Sequence, residues 1–256
     1  MLIEQIRHAT IIITFKEYKV VVDPMFSPKG TMYSLRIGEL LKLKRTNPTV
    51  ELPEDMEKRL NGVTHALITH NHFDHIDEAA VEYLKRYNIS VFCSEDDEVA
   101  FKKKGLKVIA LKNDGENDFF DGKIKLIPCR HGWGWISKVM RHGVGYFIEM
   151  PDEPSLYIAG DTVLTDDVKG VITDLQPEWI VLAAGKAKLG IGQPLLMSED
   201  EILESVELCF GWAILNHMDA MDHCRIDRKM LGDMMRRNKL ENKAVIPDDG
   251  DIIDCS

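Results

Sequence analysis

An α/β architecture is predicted by three features of the chain: short apolar, β-branched runs that alternate with amphipathic stretches of helical period, acidic helix starts behind a hydroxyl residue, and a hairpin signal. The run His65-Ala66-Leu67-Ile68-Thr69 reads as a buried strand, being short, apolar and bounded by polar residues. Strand patterns recur in the residues leading to His131, Asp161 and His217, and over Trp179–Ala184. Helix starts are read at Ser94-Glu95-Asp96-Asp97 and Ser198-Glu199-Asp200-Glu201, of which only the second completes a Ser-x-x-Glu capping box. A hairpin is read where Asp121-Gly122 joins Asp118–Phe120 to the alternating arm Lys123–Ile127.

At 256 residues, without a Ser/Gly-rich linker, low-complexity tract or long charge run, the chain is expected to form one domain over 1–256. The stretch 26–53 fits the alternation least. It contains Ser27-Pro28-Lys29-Gly30 and a predicted helix Leu35–Lys44, and is read as an inserted excursion over the site, suited to a lid or a subunit contact.

Thirty-two Lys and Arg against 42 Asp and Glu give a net charge of −10, which excludes nucleic acid as an expected partner because phosphate binding draws on clustered positive charge. A small-molecule substrate, even an anionic one, stays compatible, since bound divalent ions would dominate the local potential. Five scattered cysteines and an N-terminal apolar run broken by Glu4 and His8 point to a reduced, cytoplasmic setting without a cleavable leader. No apolar run reaches the roughly 20 residues of a membrane span, so no membrane association is expected.

The densest chemical signal is Thr69-His70-Asn71-His72-Phe73-Asp74-His75, with four metal-ligand side chains at the end of a strand. In extended backbone, residues i and i+2 face the same side, so His70 and His72 can share a cation. Asp74 continues that parity, whereas His75 opens a helix-like stretch and can address a neighbouring cation. The spacing suggests two metals rather than one.

This His-x-His-x-Asp-His motif resembles the signature of the metallo-β-lactamase superfamily, and His131, Asp161 and His217 follow in that family's order. The resemblance implies a four-layer αββα sandwich with metals at one edge. It further implies His70, His72 and His131 on one ion, Asp74, His75 and His217 on a second, and Asp161 bridging both. Two divalent ions, zinc or manganese and less readily iron, suit such ligands. Arg7-His8-Ala9-Thr10, Val21-Val22-Asp23-Pro24 and Asn216-His217-Met218-Asp219 are similar to the ascorbate-6-phosphate-lactonase-like branch, which implies a sugar-acid lactone as substrate. Ile76-Asp77 stands where thioester-hydrolysing members carry Gly-Gly, and His72 where flavodiiron members carry glutamate, so thioester and redox chemistry are disfavoured.

The expected activity is metal-dependent hydrolysis of a small ester, lactone or phosphoester, with a phosphodiesterase or nuclease, or a non-catalytic metal sensor, as alternatives. Asp74 would hold or deprotonate the attacking water, and His223 would protonate the leaving group. His8 and Asp23 are candidates to face the pocket or orient a metal-bound imidazole, with a turn before Pro24 as the other reading of Asp23. Trp133, with Trp135, is read as pocket wall or core. Lys186 and Lys188 would meet a substrate phosphate or carboxylate, or lie on the solvated surface. Self-association is compatible with the sequence.

Overall fold

A computed structural model describes the chain except residues 37–39, 135–136, 138–139, 141–142 and 190–192. It begins with a meander, β1 (Leu2–Arg7), β2 (Thr10–Phe15) and β3 (Tyr18–Val22), followed by the short β4 (Met32–Tyr33) and β5 (Arg45–Asn47). Helix α1 (Met56–Leu60), β6 (His65–Leu67), α2 (Glu78–Arg86), β7 (Ser90–Ser94), α3 (Glu98–Lys103) and β8 (Lys107–Leu111) complete the first half. The second half opens with β9 (Glu116–Phe119), β10 (Gly122–Cys129), β11 (Gly143–Glu149) and β12 (Leu156–Ile158). Then come α4 (Asp166–Gly170), a π-helical turn (Val171–Leu175), β13 (Trp179–Ala183), α5 (Glu199–Leu208), β14 (Trp212–Asn216), α6 (Arg228–Arg237), β15 (Ala244–Val245) and β16 (Ile252–Asp254).

Among the described residues two seven-stranded sheets result, ordered β16-β1-β2-β3-β6-β7-β8 and β15-β14-β13-β12-β11-β10-β9. Each changes from antiparallel pairing to parallel pairing part-way across, at β3 in one and at β12 in the other. The period-two alternation of apolar side chains produces the layers. Ile11, Ile13 and Phe15 join Ile124, Leu126, Tyr146 and Ile148 in a core shared by both sheets. Ile12 and Val21, on the opposite face, join Leu60, Leu84 and Phe101 from α1, α2 and α3. On the outer face of the second sheet, Tyr157, Ile180 and Leu215 meet Val168, Ile202 and Leu231 from α4, α5 and α6. Helix, sheet, sheet, helix is therefore the observed order, as the resemblance implied. Among the described residues no helix is long and apolar enough to cross a membrane.

Local signals fared unequally. Ser198 and Glu201 form the full reciprocal capping box on α5. Ser94 starts no helix. It closes β7, its Oγ accepts from the Asp96 amide at 3.1 Å, and α3 begins at Glu98 behind Asp97. The hairpin exists, but its turn is Phe120-Asp121, because Gly122 is already paired with Phe119. Gly122 serves the sheet instead: a Cβ there would lie 2.1 Å from the Glu149 carbonyl oxygen.

Of the predicted helix Leu35–Lys44, residues 37–39 lie outside the described residues, and the flanking β4 and β5 pair as an antiparallel ribbon. The excursion is fastened at both ends. Arg7, fully buried, donates from Nη2 to the Met25 and Ser27 carbonyls at 2.8 and 2.9 Å and from Nη1 to the Val50 carbonyl at 3.2 Å. Further out, the buried Asp222 carboxylate accepts from the Ser34 hydroxyl, the Leu35 amide, Thr46 Oγ1 and Asn47 Nδ2. Its own amide donates back to Asn47 Oδ1 at 2.9 Å.

Burial raises the Asp222 carboxyl, but the donors from Ser34, Asn47, Leu35 and Thr46 outweigh it and hold the group below its ordinary value. A lowered carboxylate stabilises the fold above the ordinary carboxylate range and loses that contribution as pH falls through the folded value. Asp222→Ala, which strands several buried donors, is expected to lower unfolding free energy by roughly 3 kcal/mol or more in urea titrations at neutral pH. The gap from the parent protein should narrow below about pH 4.

Candidate metal centre

Loops leaving the ends of β6, β10, β12 and β14 bring the predicted donors together. His70, His72 and His131 place ring nitrogens within 4.8 Å of one another, as do the donor atoms of Asp74, His75 and His217. Asp161 stands between the two triads. Its Oδ1 lies 3.2 Å from Nε2 of both His75 and His217. Its Oδ2 lies 3.7 Å from His131 Nε2 and 3.9 Å from His70 Nε2.

The donors fit metal. His70 Nε2, both ring nitrogens of His131, and Asp161 Oδ1 are buried with no hydrogen-bond partner among the described residues. Buried polar atoms left so are costly unless an ion completes them. His75 Nε2 and His217 Nε2 also confront each other at 3.2 Å, a contact that needs a proton or a cation between the two lone pairs.

Electrostatics say the same. Burial, reinforced by His75, holds the His70 imidazole well below its ordinary value, and burial brings His72 to about 4, so both are in the neutral, ligating form. Burial opposes charge on His75 too, yet Asp161 and Asp23 outweigh it and raise that imidazole well above the usual range. For Asp161 burial raises the carboxyl, but His217, His75 and His131 together hold it well below normal. A divalent ion would satisfy the same carboxylates and release the His75 proton.

Asp23 and Thr69 orient the imidazoles. His75 Nδ1–H donates to Asp23 Oδ2 at 2.8 Å, while the Thr69 amide and hydroxyl donate to the same carboxylate at 2.8 and 2.7 Å. With its proton given to Asp23, the Thr69 oxygen accepts from His70 Nδ1 at 3.0 Å. One carboxylate thereby turns the Nε2 atoms of two histidines toward the centre. Asp23 also takes a left-handed conformation, φ 45°, before Pro24. Thr69 was missed as a site residue; its position beside His70 at a strand end was the available signal.

The backbone is strained where the site is built. His8 and His217 have φ of 58° and 62°. Gly160, at φ 65°, precedes Asp161 by one residue, and a Cβ there would press on the Val144 carbonyl at 3.0 Å.

His8 faces the centre: its ring centroid is 3.7 Å from that of His217 and its Nε2 is 3.5 Å from Asp74 Oδ2. Burial, with His217 beside it, pushes this imidazole down to about 3. Asp74 is held well below the carboxylate range because His8 and His75 outweigh its burial. His223 is buried, its Nδ1 has no hydrogen-bond partner among the described residues, and burial lowers it despite Asp74. Cys224 is half-buried, and its thiol, pushed well up by desolvation, donates to the His217 carbonyl at 3.4 Å.

Two predicted contacts are engaged elsewhere. Lys186 Nζ pairs with Glu199 Oε1 at 3.3 Å, and Trp133 Nε1 donates to Glu201 Oε1 at 2.9 Å with Arg130 over its ring. Both side chains are drawn to the acidic first turn of α5. Trp135 lies outside the described residues.

Residues 18–187, more than half of the chain, match the family described as Beta-lactamase superfamily domain. The chain belongs to the metallo-β-lactamase superfamily. Within this superfamily it is 32% identical over 257 residues to UPF0173 protein YddR of Bacillus subtilis (strain 168), an alignment covering 98% of each chain. A UPF0173 metal-dependent hydrolase of Koribacter versatilis (strain Ellin345) is 32% identical over 136 residues, covering 51% of this chain and 58% of its own. Among solved structures, the isothiocyanate hydrolase from Delia radicum gut bacteria superposes with a TM-score of 0.88 at 27% identity, covering 99% of both chains. This member of the metallo-β-lactamase superfamily is thus a UPF0173-type metal-dependent hydrolase, and its histidine and aspartate cluster is of the kind that could bind metal.

Asp23→Asn should keep the fold while weakening metal affinity about 10- to 100-fold, because His75 loses its anionic partner. Chelator competition monitored by elemental analysis checks this.

Proposed function

We propose that the centre holds two divalent ions, zinc or manganese by ligand type, and hydrolyses a small electrophile such as a lactone or ester. The observation that carries this reading is the placement of Asp161, with one oxygen toward each donor triad. His70, His72 and His131 would hold one ion, Asp74, His75 and His217 the other, and Asp161 both. Bound there, two ions supply Lewis acidity, lowering the pKa of water and polarising the bond under attack.

The chain's own residues divide the remaining work. Asp161 offsets positive charge between the triads. Asp74, ionised at neutral pH, accepts the proton of the attacking water, with His8 Nε2 3.5 Å from its Oδ2. His223, neutral at rest because burial lowers it, takes the proton that Asp74 accepts from water and passes it to the departing oxygen or nitrogen, an assignment supported by its buried ring, on which the Asp74 charge acts, and by its Nδ1, unpartnered among the described residues. Among candidate bonds, lactone and phosphoester rest on the sequence resemblance, and the likeness to an isothiocyanate hydrolase adds the isothiocyanate carbon. Five free cysteines support a cytoplasmic setting.

The test is elemental analysis of protein purified without chelator, with turnover of lactone, ester, phosphodiester and isothiocyanate panels before and after metal replacement. Two metals per chain with chelator-sensitive cleavage of one class is expected. Phosphodiester cleavage alone would favour the phosphodiesterase, and two metals with no turnover a metal sensor. His223→Asn is expected to lower kcat about 100-fold or more on a poor leaving group and far less on an activated one. Equal losses on both would remove it as proton donor.

A further inference from the structure

The excursion and α2 bound a cleft of about 1210 Å³ whose lining includes His72. Met32, Tyr33 and Leu35 form its excursion wall, and Phe73, Ile76 and Val81 come from the His72 loop and α2. Phe73 sits between His72 and Asp74 and is 43% exposed, and Tyr33 opposite is 44% exposed. An aromatic face left to water beside a polar centre, as Phe73 has, is the ordinary lining of a ligand pocket, and the Tyr33 ring carries the Arg45 guanidinium 4.9 Å from its centroid. Arg7 fastens the base of the excursion and Asp222 its outer part, so the Tyr33 wall is preformed.

Charge in the cleft selects what enters. Glu78 and Glu82 line it, Glu82 paired with Lys85 Nζ at 2.9 Å, and the lining cation Lys104 donates to Asn71 Oδ1 at 2.6 Å. The Asp77 carboxylate accepts from the Ser27 and Ala80 amides. An anionic arm would meet the Glu78 carboxylate along this wall, whereas an uncharged one meets aromatic and aliphatic surface.

We propose that this cleft seats an uncharged, apolar arm of the substrate, with Tyr33 and Phe73 setting specificity for it while the bond to be cleaved lies at the metal centre. The placement of that bond rests on the hydrolase reading above; the binding of the arm is measurable without turnover. Three inert probes decide it: phenylacetamide, the same amide carrying a para-sulfonate, and acetamide, titrated against the full chain by ligand-observed NMR, with metal present and after chelation. Phenylacetamide should bind about tenfold more tightly than either of the others in both states, the gain from burying one ring. Tyr33→Ser and Phe73→Ser, both at exposed positions, should each cut that preference to threefold or less. Absence of the preference, equal binding of the sulfonate, or a preference unchanged in both variants overturns the proposal. Metal content is read on the same samples. A preference in protein that never takes up metal keeps the cleft and sinks the hydrolase reading; two bound metals without the preference does the reverse.

Discussion

Imidazoles crowded around a single buried carboxylate set the terms for the whole molecule. His70, His75, His131 and His217 all come within 4 Å of Asp161, and His70 Nε2, His131 Nε2 and Asp161 Oδ1 are buried without a partner among the described residues. Neutral rings alone leave those donors unsatisfied, and protonating all of them would place like charges side by side. Cations between the rings resolve both problems, and much of the surrounding structure keeps the rings where cations can do so.

That support is spread across the fold. Asp23 reaches back from the end of β3 to hold His75 directly and His70 through Thr69. Left-handed backbone at His8, Asp23 and His217 costs of order 1 kcal/mol or more per residue, which the shared core of the two sheets can sustain. The excursion adds a wall whose attachments, Arg7 and Asp222, are themselves buried polar groups with their partners drawn from distant segments.

What could be read from the sequence follows from how local each signal is. The His70–His75 cluster is six consecutive positions behind a strand, so periodicity alone located it. His131, Asp161 and His217 were placed by the family resemblance, since nothing local separates them from other polar residues after a strand. Arg7 and Asp222 escaped as anchors because their partners lie 18 to 43 and 175 to 188 residues away. Ser94 misled because a Ser followed by acidic residues also suits a turn after a strand. Lys186 and Trp133 share one further contact that their own neighbours in sequence do not signal, the acidic start of α5, where Glu199 and Glu201 receive them.

Each donor triad takes its members from both sheets: His70 and His72 with His131, and Asp74 and His75 with His217. A bound ion is therefore a clasp between the two halves of the sandwich, and its binding free energy is added to their cohesion. An ion at a hundredfold excess over its dissociation constant adds about 2.7 kcal/mol to the folded state. With metal bound in this way, its supply would bear on how long the molecule lasts, and chains short of it would be the first to open and be cleared.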